Sequence, residues 1–368
     1  MRIGIDAREL QGRPTGAGRY LRNLLRAWPT YDDLFLYFNG SVPPDPVLAR
    51  RGIVPRRVGT RRRRGIIWQE RDLPPAANAD HLDVFFAPAY FCPLGLNVPR
   101  VTTVHDMSFY SVPHDFSPRE GLRRRLLVRW SIAVSHRVLT VSEFSRREIT
   151  TYFPAAADRV RVIPEAADTE LPAPPSRDDA RQSLGVEGPY VLSVGSVLNR
   201  RHLPTLFEAL RPLTRLWPDL RLEVVGDNRT HPPLDLPAAA RRAGVERNVC
   251  LSGFLDDGHL ALRYAAADVV VYLSEYEGFG LPVLEALSRS LPVLTSRRPA
   301  TGELFAGAAV LAEPDDAREI AEKLGELLAD KELRARWGRE GRKRAAAFSW
   351  EKSAEATRLV LGESALQA

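Results

Sequence analysis

The sequence predicts an α/β protein with two doubly wound parallel sheets, one in each half of the chain. Short apolar runs recur along both halves, and each is followed by a loop and then by an amphipathic helical segment. This alternation is typical of parallel strands joined by right-handed helical crossovers. The chain has 368 residues, whereas one domain usually has roughly 100–200 residues, so we expect two or three domains.

The first half is predicted to contain seven strands, which are short and mostly apolar: 2–7, 33–38, 52–58, 83–87, 100–104, 137–141 and 159–164. Apolar spacing and capping residues predict the helices between them: 19–28, 68–77, 118–135 and one that begins after Ser142. Residues 170–179 are rich in proline and acidic side chains, so we expect them to form the linker between domains.

The second half repeats the same alternation. Its predicted strands are 190–195, 220–225, 249–255, 268–273 and 291–295. Helices are predicted from 204, over 257–266 and from 282, and Thr301-Gly302-Glu303 is expected to cap a short helix. Three more helices, at 316–329, 331–347 and 350–363, complete the chain.

Composition narrows the class of protein. The apolar content of 44% is ordinary for a globular chain, and no apolar run approaches the ~20 residues of a membrane span. The chain begins with a strand and not a signal peptide, and its two cysteines lie far apart, so we expect a cytoplasmic location. The net charge of +6 can attract phosphate-bearing substrates or anionic membranes. Without a nucleic-acid motif or a Cys/His cluster, neither nucleic acid nor metal is expected.

The most informative stretch follows the predicted strand 268–273 and combines a Gly-Phe-Gly turn with a helix start at Pro282. Such a corner presents free N–H groups and the positive end of a helix dipole, which favours an anionic ligand. Two carboxylates, Glu277 and Glu285, bracket the turn. Because a carboxylate repels phosphate and accepts hydrogen bonds from hydroxyls, these residues favour a sugar diol. A ligand with both phosphates and diols is a nucleotide sugar.

Two further loops are suited to phosphate. Gly16 and Gly18 lie in a loop between the first predicted strand and the next helix. Gly195 ends strand 190–195, and Arg200 and Arg201 follow it just before a helix N-terminus. Two arginines at such a place predict a diphosphate site, with an ordinary pair of surface arginines as the alternative.

The spacing Glu277-x7-Glu285, embedded in Glu-Gly-Phe-Gly-Leu-Pro-Val-Leu-Glu-Ala, resembles the signature of glycosyltransferase family 4. That family consists of retaining transferases that use nucleotide-sugar donors and have the GT-B fold. The resemblance implies two Rossmann-like domains facing a cleft, with residues 1–169 on the acceptor side and residues 170–349 binding the nucleotide sugar. It also implies that a C-terminal helix, at about 350–368, crosses back to the N-terminal domain.

The resemblance assigns roles in both halves. The string Thr-Val-His-Asp-Met-Ser-Phe contains His105, which is expected to reach the donor sugar, and Asp106, which is expected to hold the loop. The family usually has Asn-Gly-Val-Asp where this chain has Glu-Ala-Ala-Asp from Glu165 onward, so a hinge or donor role for Glu165 stays open. Arg201 stands where the family often has a phosphate-binding lysine. The segment with Phe254 resembles the lining of the family's nucleobase pocket.

Two sets of residues follow from these motifs. The expected catalytic residues are His105, Glu277, Arg200 and Arg201. The expected donor-binding residues are Gly16, Gly18, Gly195, Phe254, Leu255, Gly278, Phe279, Gly280, Leu281 and Glu285.

The expected reaction moves a hexose from a nucleotide-diphosphate sugar to a hydroxyl of a glycan or lipid-linked acceptor. The opening Gly-Ile-Asp-Ala-Arg string and the His105 string look most like bacterial mannosyltransferases of polysaccharide assembly, which favours GDP-mannose over a UDP-sugar. No metal and no cofactor beyond the donor is implied, because fixed arginines replace the metal. A nucleotide-sugar epimerase or hydrolase, or a catalytically silent GT-B binding protein, is the alternative.

The helix predicted at 118–135 leaves a question of partners open. One side carries Leu122, Leu126 and Trp130, and the other carries four arginines. A basic amphipathic helix of this kind either lies on an anionic membrane or packs against its own sheet. The first alternative adds peripheral contact with the inner face of the membrane to the expected cytoplasmic location.

Overall fold

The computed structural model describes residues 1–13, 15–59, 65–168 and 175–367. The chain forms two compact units. The first unit comprises Met1–Ser111, Pro118–Ala166 and Ser349–Ala368, and the second comprises Val112–Ser117 and Ala167–Phe348. The domain boundary predicted between residues 169 and 170 lies outside the described residues. No sequence pattern indicated that 112–117 would belong with the second half.

The first unit contains a parallel sheet whose seven described strands have the order β3-β2-β1-β4-β5-β6-β7. These strands are β1 Arg2–Asp6, β2 Asp33–Phe38, β3 Ile53–Arg57, β4 Val84–Ala87, β5 Arg100–Thr103, β6 Arg137–Thr140 and β7 Val160–Val162. The helices that accompany them are α1 Gly16–Arg26, α2 Ile66–Arg71, α3 Leu73–Ala79, α4 Ser108–Ser111, α5 Pro118–Val134 and α6 Glu143–Tyr152. Helices cover the sheet, so its central strands are buried, and β4 is entirely apolar.

The second unit contains a parallel sheet with the order β10-β9-β8-β11-β12-β13. Its described strands are β8 Tyr190–Val194, β9 Arg221–Val225, β10 Val249–Gly253, β11 Val269–Tyr272, β12 Val293–Ser296 and β13 Val310–Ala312. Its helices are α7 Arg177–Leu184, α8 Leu203–Leu216, α9 Leu236–Ala243, α10 Asp257–Ala266, α11 Leu281–Ser288, α12 Pro299–Phe305, α13 Ala317–Ala329 and α14 Lys331–Ala345. The predicted class, two doubly wound Rossmann-like sheets, is therefore confirmed.

The last helix, α15 Trp350–Leu366, belongs to the first unit. It packs against α1, β4, β5 and β6. Ser353 Oγ donates to the carbonyl oxygen of Pro164 at 2.6 Å, and the Trp350 ring lies 5.9 Å from the Tyr20 ring. The predicted return of the last helix to the N-terminal half is confirmed.

The strand order determines where a ligand site can form. In the second sheet, β8 lies between β9 and β11, so the chain leaves the neighbouring strands β8 and β11 at the same edge. The register pairs Val191 with Val269, and Gly195 and the turn after Tyr272 both follow at the carboxyl ends. Open α/β sheets bind their ligands beyond such ends, at the point where the strand order reverses.

Three helix predictions and the linker prediction need correction. Helix α1 begins at Gly16 and not at 19, because Thr15 caps it. The single helix expected over 68–77 is two helices, since the second begins at Leu73 with a proline in its first turn. Helix α7 begins inside the expected linker, because Ser176 is an N-cap. Thr301 lies within α12 and does not cap it, and its hydroxyl donates to Ser296 O at 2.6 Å.

Helix α5 does not pack on its sheet through the apolar side that the sequence indicated. Leu122, Leu126 and Trp130 are 56%, 45% and 50% exposed. The buried side of α5 instead consists of smaller or β-branched residues: Gly121, Val128, Ser131 and Ile132. Within the described part of the chain, no helix has the length and apolar character that a membrane crossing requires.

Candidate active site

The loop after β11 is held in place by aromatic packing. The Phe279 ring is buried and meets the Phe348 and Phe305 rings edge-on, at centroid distances of 5.5 and 6.5 Å. Gly280 is the N-cap of α11 and has φ +99°, a conformation that L side chains rarely adopt. The Phe279 side chain is therefore an anchor, and only its main chain is suited to hold a ligand.

Glu277 lies on this loop and contacts a cation. Arg201 Nη1 is 2.6 Å from Glu277 Oε1, and Ser274 Oγ donates to the same oxygen at 2.6 Å. The guanidinium of Arg201 also lies over the Tyr272 ring, 4.1 Å from its centroid. Both charged side chains are mostly buried, so water screens their attraction only weakly.

Arg201 has hydrogen-bonding capacity that the protein does not use. Its Nε and Nη1 atoms are buried and have no hydrogen-bond partner, because the Glu277 contact has the distance of an ion pair without the alignment of a hydrogen bond. Buried donors are nearly always paired in folded proteins. An anionic ligand that accepts from these N–H groups would complete the site.

Arg200 contacts a second carboxylate, which sequence reasoning missed. Its Nη1 atom lies 3.1 Å from Asp115 Oδ2, and the two side chains are 11% and 2% exposed. Asp115 ends a short turn, Pro113–Asp115, in the segment that joins the second unit. The main chain of Arg200 is held as well, since its carbonyl oxygen accepts from Glu275 N at 2.8 Å. The loops after β8 and β11 are thereby tied together.

Gly195 faces the start of α11. A Cβ atom at this position would lie 3.7 Å from the Tyr272 ring and 3.8 Å from Pro282, and its φ is +127°. The loop after β9 also lies close to Gly195, because a Cβ atom on Gly226 would be 2.1 Å from Gly195 O. The structure thus brings Gly195, Arg201, Glu277 and the N-terminus of α11 to one corner of the second unit.

Glu285 is buried on α11 and is bound by a residue that the sequence did not reveal. Tyr264 on α10 donates its hydroxyl hydrogen to Glu285 Oε2 at 3.0 Å. The Arg289 guanidinium lies 4.9 Å from the centroid of the Tyr264 ring. Phe254 and Leu255 precede the same helix, and the Phe254 side chain is exposed. Helix α10 therefore connects the segment predicted for the nucleobase with the carboxylate predicted for the ribose.

His105 lies in the first unit, directly beyond β5. Its Nε2 atom is 2.8 Å from Pro88 O, and its Nδ1 atom is 3.2 Å from Glu165 Oε1. The Tyr20 ring meets the imidazole edge-on at 4.8 Å. Asp106 Oδ1 accepts from Ser108 N at 2.9 Å, so Asp106 holds the loop. Both ring nitrogens of His105 therefore contact oxygen atoms of the protein.

Gly16 and Gly18 form the first turn of α1. Gly18 N donates to Thr15 Oγ1 at 3.0 Å, so this N–H serves the helix cap. A side chain at Gly18 would collide with the main chain, since its Cβ would lie 2.4 Å from Glu9 O, whereas nothing lies within 4 Å of a Cβ on Gly16. Of the two glycines, only Gly16 leaves room for a ligand to approach.

The sequence matches two family profiles. Residues 14–171 match Glycosyltransferase Family 4, and residues 176–344 match Glycosyl transferases group 1. The O-antigen chain mannosyltransferase B of Escherichia coli is 31% identical over 276 residues, which cover 73% of this chain and 71% of that protein. The chain belongs to glycosyltransferase family 4.

Other relatives agree with this assignment. A D-inositol 3-phosphate glycosyltransferase of Xylanimonas cellulosilytica is 30% identical over 279 residues, 71% of this glycosyltransferase and 65% of that protein. Anabaena HepE, solved in complex with UDP-glucose, superimposes with a TM-score of 0.76 at 20% identity, covering 98% of this chain and 99% of that one. At this level of identity, the similarity to HepE shows the fold alone. The predictions of a GT-B fold and of a transferase enzyme are confirmed.

In this glycosyltransferase the predicted site residues fall into two groups. Gly195, Arg200, Arg201, Gly278, Phe279, Gly280, Leu281, Glu277, Glu285, Phe254 and Leu255 belong to the second unit, and Gly16, Gly18 and His105 to the first. Sequence reasoning did not identify the partners Asp115, Tyr264 and Glu165 in these roles. Among the described residues, no group of three or more His, Cys, Asp or Glu side chains could hold a metal ion. Independence of metal remains a prediction.

Proposed function

We propose that this glycosyltransferase moves a hexose, with mannose favoured, from a nucleotide-diphosphate sugar to a hydroxyl of a glycan or lipid-linked acceptor. The observation that carries the proposal is the Arg201 side chain. It is buried beside the helix N-terminus of α11, it faces Glu277, and two of its nitrogens lack a hydrogen-bond partner. A diphosphate supplies acceptors for the guanidinium, and the sugar attached to it supplies hydroxyls for the carboxylate.

The proposed reaction breaks the bond between the anomeric carbon and the phosphate oxygen, and the electron pair leaves with the nucleoside diphosphate. The acceptor oxygen forms its bond to the anomeric carbon on the same face, and its proton passes to the leaving phosphate oxygen. This course retains the anomeric configuration. Arg200, Arg201 and the N-terminus of α11 stabilise the negative charge that develops on the diphosphate. These fixed charges take the place of a metal ion.

The remaining residues are assigned by the chemistry of their side chains. Glu277, with the N–H groups of Phe279 and Gly280, is proposed to bind the sugar hydroxyls. Glu285, oriented by Tyr264, is proposed to accept from the ribose diol. The preference for mannose is supported by the name of the Escherichia coli relative, an O-antigen chain mannosyltransferase. The UDP-glucose in the complex of HepE makes a UDP-sugar the competing donor.

A panel of donors tests the proposal. Thermal unfolding is measured with GDP-mannose, UDP-glucose, UDP-N-acetylglucosamine, GDP and UDP, because a ligand stabilises the state that it binds. We expect the largest shift with GDP-mannose, and no shift with any of the five would overturn the donor assignment. Product analysis with and without an acceptor then separates transfer from hydrolysis or epimerisation, which need no acceptor.

We further propose that helix α5 contacts the inner face of an anionic membrane. Leu122, Leu126 and Trp130 form an exposed stripe, and Trp130 shares a groove with the exposed Ile66 and Leu94. The neighbouring Arg123 and Arg129 are exposed too, so the patch combines apolar area with positive charge. This combination fits the headgroup region of an anionic bilayer.

Vesicle co-sedimentation tests the membrane contact. The wild-type protein is expected to bind phosphatidylglycerol vesicles and to bind phosphatidylcholine vesicles much less. The triple variant Leu122→Ser, Leu126→Ser, Trp130→Ser should lose this binding, whereas Leu359→Ser, which changes an equally exposed leucine on α15, should keep it. Equal binding by the triple variant and the wild type would contradict the proposal.

A further inference from the structure

The environment of His105 presents one oxygen atom to each ring nitrogen. Nε2 lies 2.8 Å from Pro88 O, and a carbonyl oxygen can only accept, so Nε2 carries a hydrogen. Nδ1 lies 3.2 Å from Glu165 Oε1, and an ionised carboxylate can also only accept. Both nitrogens can donate at once only when the ring is an imidazolium cation.

The surroundings strengthen this pairing. The side chains of His105 and Glu165 are 13% and 6% exposed, so little water separates or screens them. The rings of Tyr20 and Tyr90 enclose the imidazole at 4.8 and 5.6 Å, and neither carries a charge. Asp106, next in the chain, adds a second negative charge nearby.

Several effects shift the pKa of His105, and their net result is an increase. Burial by itself lowers the pKa of His105, but the hydrogen bond and the charge of Glu165 outweigh it, with smaller help from Pro88 O and Asp106, so the pKa is raised. The stability that the pair contributes is therefore fully present below the ordinary pKa of about 6.5 and is lost as pH rises through the raised value.

We infer that Glu165 is a positioning residue that keeps His105 doubly protonated and thereby places a positive charge beyond the end of β5 in the first unit. The catalytic part of this inference rests on the proposed function, in which negative charge develops on the departing diphosphate. Glu165 stands where the resembled family usually has asparagine, and an asparagine amide has no charge with which to hold an imidazolium. The presence of glutamate at this position therefore has a chemical explanation, because its negative charge stabilises the imidazolium.

Nuclear magnetic resonance of the ring nitrogens tests the protonation directly. The full-length protein is labelled with 15N-histidine, and the His105 signals are assigned by their loss in His105→Asn. In the wild type we expect both nitrogens to remain protonated above pH 6.5. In Glu165→Gln, which preserves the size of the side chain, the transition should move down by about one pH unit or more. A neutral ring at pH 6 in the wild type, or an unchanged transition in Glu165→Gln, would overturn the inference.

The pH dependence of kcat tests the catalytic part. The wild-type rate should fall as pH rises through the His105 transition, and in Glu165→Gln this fall should begin at lower pH. Glu165→Asn, which restores the usual family residue, should behave like Glu165→Gln. If the nitrogen signals move and the kcat profile does not, the catalytic role of the charge is rejected. A further variant, Glu277→Ala, is expected to lose transfer whatever the outcome of this experiment, so it decides the proposed function separately.

Discussion

The His105 corner of the first unit and the arginine corner of the second unit place cations against carboxylates in different ways. Glu165 contacts an imidazole, whose charge depends on its partner and on pH. Glu277 and Asp115 contact guanidinium groups, which stay charged under all ordinary conditions. The carboxylates of the second unit therefore orient charge that already exists, whereas Glu165 creates it. The Glu165 variants described above test the first arrangement, and the variants below test the second.

The largest expected effect follows removal of the carboxylate beside Arg201. Glu277→Ala should reduce transfer by about 10²–10³-fold, because a group that is proposed to bind the sugar in the transition state is lost. Circular dichroism should show that the variant is folded. Glu275→Ala is the matched control, since Glu275 lies two residues away and contacts Arg298 instead. Near-native turnover by Glu277→Ala would reject its assigned role.

A somewhat smaller effect, on stability, is expected at Asp115. Asp115→Ala leaves Arg200 buried without this carboxylate and should lower the free energy of unfolding by about 3 kcal/mol. Glu143→Ala breaks an exposed ion pair with Arg146 and should cost no more than about 1 kcal/mol. Urea denaturation of both variants, with unchanged slopes, measures the difference. Similar losses in the two variants would show that burial does not strengthen the Arg200 pair.

The smallest effect is expected for the hydroxyl that orients Glu285. Tyr264→Phe removes one hydrogen bond to Oε2, which is worth about 1 kcal/mol, so affinity for the nucleoside diphosphate should fall about fivefold. Tyr190→Phe removes a comparable buried hydroxyl that donates to Glu223, and it should leave affinity unchanged. Isothermal titration calorimetry compares the two. Equal affinities of Tyr264→Phe and Tyr190→Phe for the nucleoside diphosphate would show that Glu285 does not contribute to nucleotide binding.

The fold, and the parts of the site that neighbouring residues form, could be predicted from the sequence. Apolar runs, glycine turns and N-caps are local signals, so the strand–loop–helix corner of Glu277 and the loop that contains Arg200 and Arg201 could be predicted from neighbouring residues. Local signals of the same kind predicted the observed bounds of α10, 257–266.

The partners could not be predicted because they come from distant parts of the chain. Asp115 lies 85 positions from Arg200, Glu165 lies 60 from His105, and Tyr264 lies 21 from Glu285. Only the packing of strands and helices brings such residues together. The error in α5 has a similar origin: its buried side is built around Gly121 and Val128, whereas its large apolar residues are exposed.

The binding of a nucleoside diphosphate to Arg201→Ala tests the central claim most directly, because this variant lacks the buried guanidinium on which the proposed donor site depends. Isothermal titration calorimetry with GDP and UDP is run on the wild type and on the variant, with thermal unfolding to confirm that the variant is folded. The account predicts at least about a tenfold loss of affinity for the preferred nucleotide, as expected for one charged hydrogen-bonding group. Unchanged affinity in a folded variant would contradict it.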